Sequence, residues 1–184
     1  MQVPCGFNVK KNYKHMKKIG IFYGSTNGTT ADIAQRIAGK LNIMASEVHD
    51  ISNTDMAQIA SYEVLLLGTS TWGVGDLQDD WESFLPELKQ ADLSGKAVAI
   101  FGTGDAASFS DTFCDAVGTI YIALKNTGCQ FCGATPTDGY TYEGSTAEID
   151  GKFVGLLLDE MNEDNLTDSR IDEWLNQLKN ECLA

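Results

Sequence analysis

Gly24-Ser25-Thr26-Asn27-Gly28-Thr29-Thr30 joins the apolar run Ile19-Gly20-Ile21-Phe22-Tyr23 to the helical pattern Ala31-Asp32-Ile33-Ala34-Gln35-Arg36-Ile37-Ala38. A strand, a hydroxyl-rich glycine loop and a helix start in that order make a site for an anion. The unpaired N–H groups of the first helical turn and the positive end of the helix dipole converge there. The loop has no Gly-Lys-Ser/Thr of a Walker P-loop and no GxGxxG dinucleotide fingerprint. It also has no lysine or arginine, so a phosphate would be held by N–H and O–H groups alone. Taken by itself, the same loop is equally an ordinary helix-capping turn.

The remainder of the chain supplies the context. Other strands are read at Glu47–Ile51, Tyr62–Gly68 and Lys96–Phe101. They are continuous apolar runs, as expected of a parallel sheet covered on both faces. Helices are expected to about Leu41, at Asp55–Ala60, Asp79–Gln90 and about Asp111–Asn126, and from Thr167 to the end. A fifth strand begins at Gln130–Ala134 and resumes at Phe153–Leu158, with Thr135–Lys152 inserted between its halves. The pattern predicts an α/β fold: a doubly wound, five-stranded parallel sheet in three layers, α/β/α, with an insertion in the last strand. One domain over residues 16–184 is expected. Residues 1–15, which precede a natural-looking start at Met16-Lys17-Lys18, read as a disordered or non-native extension.

The formal net charge is −13. Residues 1–16 carry Lys10, Lys11 and Lys14 and no acid, so the rest holds 10 basic and 26 acidic groups, a net of −16. That balance excludes nucleic acid and anionic membranes as partners and favours basic protein surfaces. The five cysteines lack a secreted disulfide framework, and with no membrane span or signal peptide a reducing cytoplasm is expected. Cys129-Gln130-Phe131-Cys132 lacks a second pair for zinc, and Asp159–Asp172 lacks calcium-loop spacing, so no metal site is expected. No catalytic Ser/His/Asp or Cys/His set is apparent. His49 reads as a surface strand residue.

Ligands of such sheets bind beyond the carboxyl ends of the strands. Three loops meet that description: the one at Ser25–Thr30, Thr69–Trp81 after the third strand, and Gly102–Asp111 after the fourth. Trp72 and Phe109 stand in polar, glycine-rich surroundings, where they could wall a slot for a flat ring.

The stretches Ile19–Thr30, Ser70-Thr71-Trp72-Gly73-Val74-Gly75-Asp76-Leu77-Gln78-Asp79-Asp80-Trp81, Phe101-Gly102-Thr103-Gly104-Asp105, Gly151–Leu156 and Leu166-Thr167-Asp168 closely resemble flavodoxins. The resemblance runs from about Met16 to the C-terminus, and the split fifth strand is similar to the long-chain subgroup. It implies a small electron carrier with non-covalent flavin mononucleotide (FMN). It also implies that Ser25, Thr26, Asn27, Gly28, Thr29 and Thr30 hold the phosphate, with Asn27 where the family usually has Thr. Trp72 would stack on the flavin together with Phe109, which replaces the usual Tyr. Ser70, Thr71, Gly73, Val74, Gly75, Thr103, Gly104, Asp105 and Asp111 would complete the site.

A neutral semiquinone stabilised by the Gly73 carbonyl is expected, together with a strongly reducing second couple. Read without the family, Gly73 is turn punctuation. Asp76, Asp79, Asp80, Asp105 and Asp111 would steer basic redox partners, such as a ferredoxin/flavodoxin-NADP reductase and low-potential oxidoreductases, to a monomeric carrier. The competing function is an FMN-dependent NAD(P)H:quinone oxidoreductase on the same fold.

Overall fold

A computed structural model describes residues 17–183, so the expected extension over residues 1–15 lies outside the described residues. Five parallel strand positions form the main sheet. β1 (Ile19–Tyr23) lies between β2 (Val48–Asp50) and β3 (Val64–Trp72), and β5 (Ala97–Thr103) and β10 (Leu156–Leu158) follow beyond β3. The chain winds outward from β1 to β2 on one side and from β3 to β10 on the other. The reversal therefore falls between β1 and β3, where a doubly wound sheet opens its crevice.

The alternating side chains of the central strands feed two cores, because successive residues of a strand point to opposite faces. Leu65, Leu67, Val98 and Ile100 pack with Trp81, Phe84, Leu85 and Leu88 of α3 (Asp79–Gln90), and with Val117, Ile120 and Leu124 of α4 (Asp115–Leu124). Val64, Leu66, Ala99 and Phe101 pack on the other face with Ile33 and Ile37 of α1 (Thr29–Leu41), and with Ile171, Trp174 and Leu178 of α5 (Asp164–Glu181). A short α2 (Met56–Ala60) is closed by a capping box between Asp55 and Gln58. Pro86 is accommodated inside α3.

The fifth strand position is split, as the sequence implies. β6 (Gln130–Phe131) pairs with the start of β5 at Ala97 and Val98, and β10 pairs with its end at Phe101–Thr103. Between them, β7 (Thr135–Pro136), β8 (Glu148–Ile149) and β9 (Lys152–Phe153) make a small antiparallel sheet of order β7-β9-β8. The Tyr140 hydroxyl anchors this insert by donating to the Leu157 carbonyl at 2.8 Å, and Arg170 lies 3.9 Å over the Tyr140 ring.

Several expectations need correction. The segment after the third strand is not an open loop. β3 runs on to Trp72 and turns back into β4 (Asp76–Leu77), so Gly73-Val74-Gly75 is a hairpin tip. The fourth helix starts at Asp115 rather than Asp111, because Cys114 adopts a left-handed conformation (φ 55°) ahead of it. The insert holds that entry from outside. Phe113 donates to the Gly144 carbonyl, and the Asp115 carboxylate accepts from the Thr146 N–H at 2.7 Å.

The last helix begins at Asp164, three residues earlier than expected. His49 is half-buried, stacked on Phe22 at 4.8 Å between ring centroids. Cys132 and Cys182 form a disulfide across 50 residues, fastening the end of β6 to the end of α5. Cys129 remains a free thiol, so the CxxC spacing does not mark a pair. Among the described residues there is no metal-binding cluster, and no helix is long and apolar enough to cross a membrane.

Candidate functional site at the carboxyl ends of the strands

The helix α1 starts in a loop that its own residues fold back on. Gly28 takes φ 88°, a left-handed conformation that costs glycine little and that redirects the chain into the helix. Ser25 Oγ accepts from the N–H groups of Gly28 (3.1 Å) and Ala31 (3.3 Å), which caps one side of the turn. The N–H groups of Thr29 and Thr30 belong to the same first turn and have no intrahelical acceptor. Thr30 also comes within 3.5 Å of the Thr103 hydroxyl, which ties this loop to the end of β5.

The ends of β1, β3 and β5 and the turn after β10 enclose a cavity of about 360 Å³, within the usual range for small ligands. Ser25, Asn27, Thr29 and Thr30 line one end, and Thr103, Gly104 and Asp105 line another part. Ser70, Thr71, Trp72, Gly73 and Phe109 complete the set that the sequence brought forward. Of the six large hydrophobic side chains exposed among the described residues, Trp72, Phe109 and Met161 line this cavity. Val74, also exposed, caps the neighbouring hairpin tip. Rings left 38% and 42% exposed at Trp72 and Phe109 lack the cover that a core would give them.

Thr26, Gly28, Val74, Gly75 and Asp111 do not line the cavity. Thr26 instead accepts from the Gln78 amide at 3.4 Å, and Asp111 is exposed beside the insert. Of the expected acidic rim, only Asp105 reaches the cavity wall. Hydrogen bonds from Ser108, Asn162 and Ala107 hold its carboxyl below the usual carboxylate range.

Sequence reasoning missed five lining residues: Thr112, Phe113, Cys114, Glu160 and Met161. The first three were assigned to a helix that begins later. The last two lie in an acidic stretch whose only signal was its position after the resumed strand. Cys114 is fully buried, and burial pushes its thiol well above the ordinary range, so it stays protonated and unreactive.

No lysine or arginine lines the cavity, while Asp105 and Glu160 do. Arg36, the cation beside Glu160 at 3.4 Å, is also engaged by Asp168 at 3.1 Å and Asp32 at 3.7 Å. The site thus offers hydroxyl and N–H donors at one end, flat apolar walls in the middle, and no cationic side chain. That donor set suits a flat ring carrying a phosphate tail. A larger cavity, about 810 Å³, lies beside Cys132 and Cys182. It has no helix N-terminus, and its aromatic residues, Tyr121, Phe131 and Phe153, are packed against the core rather than exposed.

A family model described as Flavodoxin matches residues 21–174. Over 165 residues the chain is 42% identical to a flavodoxin of Nostoc sp., covering 90% of this chain and 97% of that protein. Flavodoxin 1 of Azotobacter vinelandii is 42% identical over 172 residues, covering 91% and 99%. The crystal structure of Fusobacterium nucleatum flavodoxin bound to flavin mononucleotide superposes with a TM-score of 0.85 at 36% identity, covering 90% of this chain and 99% of that one.

Proposed function

The chain belongs to the flavodoxin family, and on that premise we propose that it is an electron-transfer protein, not an enzyme, holding FMN non-covalently in the cavity between Trp72 and Phe109. The observation that carries this reading is the convergence of two half-exposed rings and a hydroxyl-rich helix start on one cavity without a cation. FMN supplies the redox chemistry, and the protein supplies binding, orientation and electrostatics.

In this reading the hydroxyls of Ser25, Thr29 and Thr30, the Asn27 amide and the N–H groups of the first helical turn receive the phosphate. Thr26 and Gly28 shape that loop rather than line it. Trp72 and Phe109 cover the ring and exclude water, while Thr103, Gly104 and Asp105 border its polar edge. The carboxylate of Asp105, which has no lysine or arginine partner among the described residues, disfavours added negative charge and so keeps the carrier strongly reducing, while Glu160 is offset by Arg36. Gly73, at φ 50°, has the backbone freedom to turn its peptide, and its carbonyl would then accept a hydrogen bond from the bound ring.

Residues 16–184 act as one domain and as a monomer in this account. The net charge of −13 supports basic redox proteins as partners, with a ferredoxin/flavodoxin-NADP reductase as the chemical type. Asp76, Asp79 and Asp111 are exposed and serve steering rather than binding. Cytoplasmic residence belongs to the same reading. The free thiols of Cys114 and Cys129 support it, and the Cys132–Cys182 disulfide counts against it.

The quinone oxidoreductase is not favoured, because the matched relatives are flavodoxins. The test is to titrate FMN into apoprotein and follow flavin fluorescence. Saturable quenching at one FMN per chain supports the reading, and unquenched fluorescence overturns it.

A further inference from the structure

Two carboxylates from distant parts of the chain meet over one amide beside the cavity. Asp159, immediately after β10, is 1% exposed. Its oxygens accept from the N–H groups of Ala106 (3.0 Å), Met161 (3.1 Å) and Asn162 (3.0 Å). Asp105 Oδ1 accepts from the N–H groups of Ala107 (3.1 Å) and Ser108 (2.9 Å). Between the two lies the Asn162 side chain. Its Nδ2 is 2.9 Å from Asp105 Oδ1, and 3.0 and 2.9 Å from the two oxygens of Asp159.

Only an amide nitrogen suits that position. An oxygen there would face three carboxylate oxygens, so the network itself fixes the orientation. Among the described residues neither Asp105 nor Asp159 is paired with a lysine or arginine. Asn162 is therefore the side-chain donor that lets the two anionic segments lie together. One segment carries Asp105 and Phe109, and the other carries Glu160 and Met161, all of which line the cavity.

We propose that Asn162 is a positioning residue that latches the Phe109 segment to the turn after β10 and thereby sets the rate at which FMN leaves. This rests on the FMN reading of the cavity. A ring held between two walls departs only when one wall moves. The 105–109 wall is tethered at Asp105 and Ala106, and both tethers end on the turn that holds Asn162. Because Asn162 is exposed, its truncation opens no void in the core.

The test is FMN release from the loaded full-length protein, measured by trapping the freed flavin, with the association rate measured separately. Asn162→Ala is expected to raise the dissociation rate about tenfold, the size of a lost hydrogen bond to a charged group. The association rate should change less than threefold. Asn162→Asp, which sets a further carboxylate against Asp105 and both oxygens of Asp159, is expected to raise the dissociation rate more than Asn162→Ala does. A purely structural role would lower the melting temperature of Asn162→Ala and leave the dissociation rate alone. Release within twofold of wild type in Asn162→Ala overturns the proposal while FMN binding stands. A wild-type protein that binds no FMN overturns the cofactor reading and this proposal together.

Discussion

The indole N–H of Trp72 donates to the hydroxyl of Ser70 at 2.9 Å, across two residues of the same strand end. Side chains at i and i+2 of a strand share a face, so Ser70 can fix the plane of a ring that has little other packing. Ser70→Ala frees that ring. Ordering it on binding then costs an extra ~0.5–1 kcal/mol, and FMN affinity should fall about threefold, measured by fluorescence titration. An unchanged dissociation constant would mean that the hairpin alone holds Trp72.

Gly73 has φ 50°, and a Cβ built there would lie 2.8 Å from Asp76 Oδ2. Alanine at that position carries a left-handed penalty of about 1 kcal/mol and crowds the peptide that has to turn. Gly73→Ala is expected to bind FMN but to lower the first reduction potential by ~40 mV, since 59 mV is a factor of ten for one electron. Potentiometric titration decides this. A first potential equal to that of wild type would remove Gly73 from the mechanism.

The disulfide between Cys132 and Cys182 closes 50 residues at the end of the sheet away from the cavity. Cross-links of that span typically stabilise by about 2–4 kcal/mol. Cys182→Ser, or reduction in solution, should lower the melting temperature by roughly 5–10 °C and leave FMN affinity unchanged. A melt unaffected by reductant would show that the bond contributes nothing to stability.

His49 Nε2 lies 2.6 Å from the Tyr62 hydroxyl, and burial lowers the pKa of His49, with Lys18 adding to the effect and Glu47 opposing it. A histidine whose folded pKa is depressed binds its proton first in the unfolded chain. Its stabilising contribution is therefore complete above about pH 6.5, shrinks as pH falls toward the folded pKa, and is constant below it. Melts at pH 7.5 and 5.5 should show a loss of stability that is smaller in His49→Gln. Equal losses in both proteins would contradict this.

The legible parts of the molecule were those with local signals. The loop Ser25–Thr30 announces itself by composition between a strand and a helix, and Trp72 and Phe109 by standing in polar surroundings. The sheet could be read because its strands are buried on both faces. The β3–β4 hairpin was hidden because Asp76-Leu77 is too short to show alternation. Cys114 turns left-handed between Phe113 and Asp115, both hydrogen-bonded to the insert, and no local pattern encodes those contacts. Glu160 and Met161 reach the cavity only because β10 docks beside β5. Asp159, the buried carboxylate next to them, looks in sequence like one member of a solvated acidic run. The pairing of Cys132 with Cys182 spans 50 residues and depends on where α5 ends.

The most direct measurement is stepwise photoreduction of the FMN-loaded protein with its visible spectrum recorded throughout. A one-electron carrier should pass through a distinct long-wavelength, blue intermediate before bleaching, as two separated one-electron steps. Bleaching in a single two-electron step, with no intermediate at any stage, would contradict the account.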